Sequence, residues 1–180
     1  MRKTTRIIFI LILTGLMGAR VLLSSAHALE ESREYEVKAA FIYHFAKFVS
    51  WPGESKSDPL IIGVLGNDPF GKIWEEIRRK TVRGRPIVVN LCGNDLGLAK
   101  KCQVVFISRV DREKLKIILG QLFEKPVLTI ADLPLFAETG GMIGFYSHEN
   151  KVRFAINLES CKKAGLAVSS NLLKLARIVE

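Results

Sequence analysis

Between residues 60 and 130, four short apolar runs alternate with segments of turn or helix length, and this alternation constrains the fold more than any other feature of the chain. The runs are Leu60–Leu65, Pro86–Asn90, Val104–Ile107 and Pro126–Ile130. Short apolar runs bounded by Pro, Gly and polar residues read as strands buried in a sheet. After the first run, Asp68-Pro69 opens a helix predicted to reach about Arg79, with Pro69 at its first helical position. After the third, Asp111 to Phe123 is amphipathic, with Leu115, Ile118, Leu119 and Leu122 on one face. Strand and helix in alternation predict an α/β fold: one three-layer domain, a mostly parallel sheet with helices on both faces.

The flanks add elements of other kinds. Residues 34–50 carry Val37, Ala40, Phe41, His44, Phe45 and Phe48 at three- and four-residue steps. Ala39, Ile42, Tyr43 and Ala46 widen the apolar surface, so this predicted helix is covered on more than one side. Trp51-Pro52-Gly53 ends it, because Pro52 disfavours a helical residue before it. Toward the other end, Met142–Tyr146 and Val152–Leu158 flank the polar segment 147–151. Val152, Phe154, Ile156 and Leu158 alternate with Arg153, Ala155 and Asn157, the period of a strand. An antiparallel hairpin on the edge of the sheet is expected. Ser169 or Ser170 then caps a last predicted helix carrying Leu172, Leu173, Leu175, Ala176 and Ile178.

The first 28 residues have the form of a cleaved secretory signal. Arg2, Lys3 and Arg6 precede the uncharged apolar run Ile7–Leu16, and Ala26-His27-Ala28 offers small residues at a cleavage site. The apolar run is short for a membrane span and is followed by Arg20. A periplasmic domain of residues 29–180 is expected, with no transmembrane span after cleavage. The chain's net charge is +9; four basic residues and no acidic ones fall in the first 28, leaving +5 for the rest. This excess suits an acidic partner or anionic surface. Arg78-Arg79-Lys80, with Arg83 and Arg85, falls at a predicted helix end, where cations complement the helix dipole. That placement argues against a nucleic-acid surface. Cys92 and Cys102 flank the turn-like segment 93–97 and, in an oxidising compartment, are the natural disulfide pair. Cys161 is left over, as a buried thiol or a route to a covalent dimer.

Catalytic constellations are sparse. Gly66-Asn67-Asp68-Pro69-Phe70-Gly71-Lys72-Ile73 approaches a phosphate-binding loop, but Ile73 stands where a magnesium-binding hydroxyl belongs and Pro69 removes an amide. No Gly-x-Ser-x-Gly elbow is present. His44 falls within an apolar helix and His148 in a polar turn. Adjacent Glu75 and Glu76 diverge on a helix and cannot flank one bond. The cysteines and histidines have no zinc-ligand spacing. The reading is of a non-enzyme without metal or cofactor.

Several segments in order carry a family resemblance. They are Tyr35 to Pro52; Val64-Leu65-Gly66 with Asp68-Pro69-Phe70-Gly71; Cys102 before Val104-Val105-Phe106-Ile107-Ser108; and Val127 to Ala176, which includes Gly140-Gly141-Met142-Ile143, Val152 to Leu158 and Ser169 to Ala176. In this order the chain resembles the YfiR-like family over essentially everything after the signal. The resemblance implies a periplasmic regulator that represses a membrane diguanylate cyclase by binding its periplasmic sensor domain, lowering cyclic di-GMP and biofilm formation. It also implies homodimer formation and disulfides, with Cys102 at a position where family members often have Cys. A leftover Cys161 departs from a two-disulfide pattern.

An interface needs exposed apolar groups at its centre, and the first helix offers Tyr43, Phe48 and Trp51 as candidates for partner binding. The competing reading is a periplasmic small-ligand sensor serving another membrane receptor. Doubly wound sheets bind ligands outside the carboxyl ends of their strands. Gly66, Asn67, Asp68, Ser108 and Arg109 would line such a crevice if their strands are neighbours.

Overall fold

The computed structural model describes residues 30–55 and 57–179. The chain divides into two compact units, residues 1–35 and 36–180. Of the first, residues 30–35 are described and are helical; the predicted signal, residues 1–28, lies outside the described residues.

In the second unit, helix α1 (residues 36–48) leads into a two-residue strand β1 (Val49–Ser50). Then follow β2 (Leu60–Leu65), α2 (Ile73–Arg78), β3 (Thr81–Val82), β4 (Arg85–Gly93), α3 (Leu96–Ala99), β5 (Val104–Ile107), α4 (Arg112–Leu122) and β6 (Leu128–Ala131). The last part holds β7 (Ile143–His148), β8 (Lys151–Asn157), α5 (Leu158–Lys163), β9 (Ala167–Val168), α6 (Ser170–Leu173) and β10 (Arg177–Val179). Eight strands form one sheet in the order β10-β8-β7-β6-β5-β2-β4-β3, and β1 pairs with β9 in a separate antiparallel ribbon. The four apolar runs are the strands β4, β2, β5 and β6, adjacent and parallel.

These runs are apolar because both sides of the sheet are covered. All four residues of β5 are buried. Val105 and Ile107 join Leu115, Ile118 and Leu122 of α4 in one core layer, with Leu65, Ala131 and Phe136. Phe106 points the other way, its ring 4.8 Å from that of Phe70. Phe106 is in register with Ile130, and Ile130 with Ile143, so Phe145 two residues on shares that face. There Phe45 of α1 packs on Phe145 and Phe154, with ring centroids 5.7 and 4.8 Å away. Hence α1 and α2 cover one face and α3 and α4 the other.

Four boundaries differ from expectation, each for a local reason. The helix expected from Asp68 starts at Ile73, because Gly71 is left-handed (φ 52°) and the Asp68 carboxylate accepts hydrogen bonds from the Phe70 and Gly71 amides. The first helix stops at residue 48, since Val49 and Ser50 pair with Val168 and Ala167. The hairpin is tighter than expected: Glu149 and Asn150, both at positive φ, make a two-residue turn between His148 and Lys151. It also lies inside the sheet. The last predicted helix ends at Leu173 after its Ser169 cap, and Arg177–Val179 become a strand parallel to β8 that forms the edge. Leu175, expected on an apolar helix face, is 67% exposed.

Candidate functional site

Strands β2 and β5 are neighbours, paired from Ile62–Val104 to Leu65–Ile107. The chain leaves β2 toward β4 on one side, and β5 leads to β6 on the other, so the order reverses between them. That reversal is where doubly wound sheets open a crevice, and it brings Gly66, Asn67, Asp68, Ser108 and Arg109 to the same end of the sheet. The two loops are tightly joined. The Ser108 amide donates to the Leu65 carbonyl at 2.8 Å, and the Gly66 amide to the Gly93 carbonyl at 2.6 Å. Gly66 has φ 93°, and a Cβ there would stand 3.2 Å from that of Ser108. Ser108 is buried, whereas Asn67 and Arg109 are exposed.

Asp68 is committed to its own turn. Its carboxylate accepts from the Phe70 amide (3.0 Å), the Gly71 amide (3.1 Å) and the Trp74 indole nitrogen (3.0 Å). The amides that a phosphate would need are therefore occupied, and a helix of six residues follows. The near-match to a phosphate loop is a turn stabilised by a carboxylate.

The three aromatic candidates near α1 separate. Trp51 is 7% exposed and donates its indole N–H to the Gln103 carbonyl at 3.1 Å. Its burial does not fit an interface role, and it anchors the exit of α1 to the strand layer. Tyr43 and Phe48 are half-buried on the outer side of α1, grouped around the exposed His44. The His44 ring stacks on Phe48 with centroids 6.2 Å apart and meets Tyr43 at 5.4 Å. The Tyr43 hydroxyl donates to the Thr81 carbonyl, and Lys80 sits over its ring. Val37, at 45% exposure, extends this apolar strip along the helix.

The three cysteines are buried thiols. Cys92 at the end of β4 and Cys102 before β5 meet across β2, where Gly63 lies between their strands. A Cβ on Gly63 would stand 2.8 Å from Cys102 Sγ and 3.1 Å from Cys92 Sγ. Burial raises the pKa of Cys92. Burial, with the neighbouring Cys92, pushes that of Cys102 up to about 12. Cys161, with no exposed surface, is likewise pushed to about 12 by burial. It is core, not a route to a covalent dimer.

Two buried ionic groups escaped the sequence reading. Arg83 and Arg85 are clamps, not a charged patch. Arg83 donates to the carbonyls of Lys47 and Val49 and binds both carboxylate oxygens of Glu54. Arg85, almost fully buried, donates to the carbonyls of Asp58 and Pro59 and pairs with Glu54. Burial opposes ionisation of Glu54, but the hydrogen bonds and charges of Arg83 and then Arg85 outweigh it and hold its carboxyl below the usual range. Lys38, 2% exposed on the inner face of α1, forms an ion pair with Asp132 just after β6. Its position four residues before Ile42 and seven before Phe45, on the buried stripe, was the available signal. Among the described residues no three His, Cys, Asp or Glu groups converge as a metal site requires.

Residues 35–177 match the YfiR/HmsC-like family. The chain belongs to that family. Its members are regulatory, which is consistent with a periplasmic regulator of diguanylate cyclases. No helix among the described residues is long and apolar enough to cross a membrane. A solved structure of the ABC domain in complex with L-Trp from Streptococcus pneumonia is similar at a TM-score of 0.46 and 12% identity, over 66% of this chain and 55% of that one. The chain thus spans little more than half the length of that protein.

Proposed function

We propose that this protein is a non-catalytic periplasmic regulator that represses a membrane diguanylate cyclase by binding its periplasmic sensor domain. The family match across residues 35–177 carries this reading. Repression by binding requires the regulator to prefer the inactive state of its partner. The outer side of α1 has the character such binding needs. Val37, Tyr43, His44 and Phe48 form an apolar, aromatic strip on a helix whose inner side is locked to the sheet by Phe45 and Lys38. A rigid aromatic anchor surrounded by polar residues is the usual centre of a tight interface. Two copies could associate through the same strip, so oligomeric state is measured alongside.

The test is calorimetric titration of residues 29–180 into the periplasmic domain of a membrane diguanylate cyclase from the same organism, with sedimentation of each component. Binding at micromolar Kd or tighter, about −8 kcal/mol, supports the reading, and a Val37→Glu/His44→Glu variant should weaken it about tenfold or more. No heat and no co-elution at high concentration would refute pairing with that cyclase. Undiminished binding by the variant would move the interface off α1.

A further inference from the structure

Beside the reversal point, the carboxyl ends of β5 and β6 open under the first turns of α4. Val110, Leu115 and Leu119 face Leu133 and Pro134 there across a cavity of about 600 Å³. This volume falls within the range of about 300–1,000 Å³ typical of small-molecule sites. The lining is mostly apolar, with two cations from α4, Arg112 and Lys116, and with Thr139.

We propose that this cavity binds a small monoanionic amphiphile, a free carboxylate on an apolar body. Arg112 and Lys116 are one helical turn apart and so share a face of α4. Both are exposed, and neither has an ion-pair or hydrogen-bond partner among the described residues. Of the neighbouring acids, Glu113 on the same helix forms no ion pair with either cation and is not on the lining, and three others are used elsewhere. Asp111 caps α4 by accepting from the Lys114 amide at 2.8 Å. Asp132 pairs with Lys38, and Glu138 with Arg177 at 2.6 Å. Among the described residues no carboxylate lines the cavity, so two like charges stand together over an apolar hollow. A carboxylate head satisfies them through charge-assisted hydrogen bonds, and an apolar tail covers the leucines. A neutral amphiphile leaves the cations uncompensated, and inorganic phosphate leaves the leucines wet. Among the described residues no aromatic ring lines the space to stack a nucleobase. The site is distinct from the tight Gly66–Ser108 loop pair, and it stands whether or not the cyclase domain binds α1.

The experiment uses the exported protein, residues 29–180, with 8-anilinonaphthalene-1-sulfonate as a fluorescent probe and octanoate, 3-phenylpropanoate, octanol and octyltrimethylammonium as competitors. Either carboxylate should displace the probe with Kd below about 1 mM, octanol at least about tenfold more weakly, and the ammonium compound not at all. An Arg112→Glu/Lys116→Glu variant, altered only at exposed positions, should melt normally and lose carboxylate binding about tenfold or more while octanol is unchanged. Leu119→Gln should weaken carboxylate and octanol together. Equal affinity for octanoate and octanol, or octanoate binding indifferent to the double charge reversal, overturns the proposal. So does charge-dependent co-sedimentation with phosphatidylglycerol vesicles without octanoate binding, which assigns the two cations to a membrane surface instead.

Discussion

Replacing Gly63 by alanine tests how the cysteine pair is packed. A methyl group there would lie 2.8 Å from Cys102 Sγ and 3.1 Å from Cys92 Sγ, with Cys102 Cβ at 3.4 Å. Carbon and sulfur cannot approach so closely without displacement, and both sulfurs sit on short side chains within the packed core. Overpacking of this kind costs about 1–3 kcal/mol. Against it, Gly63 is a strand residue without positive φ, so alanine gains about 0.4–1 kcal/mol by restricting the unfolded chain. The clash outweighs that gain, and a net loss of about 1–2 kcal/mol is expected. At about 2–4 °C per kcal/mol for a domain of this size, the melting temperature should fall by several degrees. The assay is urea and thermal unfolding under reductant of wild type, Gly63→Ala, Cys102→Ala and the double variant. Because the closest clash is with Cys102 Sγ, the double variant should be more stable than additivity predicts by about 1 kcal/mol. A neutral Gly63→Ala, or strict additivity with Cys102→Ala, would refute the packing argument.

Cys92 and Cys102 are expected to form a disulfide in protein recovered from an oxidising compartment, losing two protons and two electrons to the oxidant and leaving Cys161 as a thiol. Alkylation under denaturing conditions followed by mass spectrometry counts the free thiols, and closing so short a loop should add about 3 kcal/mol against urea. With their pKa values raised, these buried thiols should oxidise slowly once folded, so the bridge should form faster during refolding than in the native protein. Asp132→Asn removes the carboxylate paired with the buried Lys38 and should lower stability to urea, with part of the loss recovered when Lys38→Met is added. Because the Glu54 carboxyl is held below its usual range, its contribution to stability is fully present above the unfolded pKa and is lost as pH falls through the lower folded value. Glu54→Gln should therefore flatten the acid limb of a stability-against-pH curve; an unchanged limb would remove Glu54 from acid unfolding.

Residues that answer to burial alone were legible. The four central strands are apolar on both sides because helices cover both faces, and that leaves a mark in any short window of sequence. Elements decided by distant partners were not. The stretch Leu172 to Val179 has helical spacing and good helix formers, yet Arg177–Val179 gain more by pairing with Ala155–Asn157 of β8. Arg83 and Arg85 read as a basic cluster because Glu54 and the carbonyls they bind lie some 30 positions earlier in the chain. Asp68 read as part of a crevice, while its hydrogen bonds return to its own turn. The neighbouring of β2 and β5 followed only from strand order, which no local pattern records.

The Lys38–Asp132 ion pair joins two regions that sequence keeps far apart. Asp132 immediately precedes Leu133 and Pro134 on the rim of the cavity, and Lys38 belongs to the helix that carries Tyr43, His44 and Phe48. The rim segment is thereby tethered to the helix proposed to meet a partner. If the hollow and α1 bind as proposed, a molecule that shifts the rim on entering would pull on α1, and a protein that grips α1 would pull on the rim. Such traffic has the same strength in both directions.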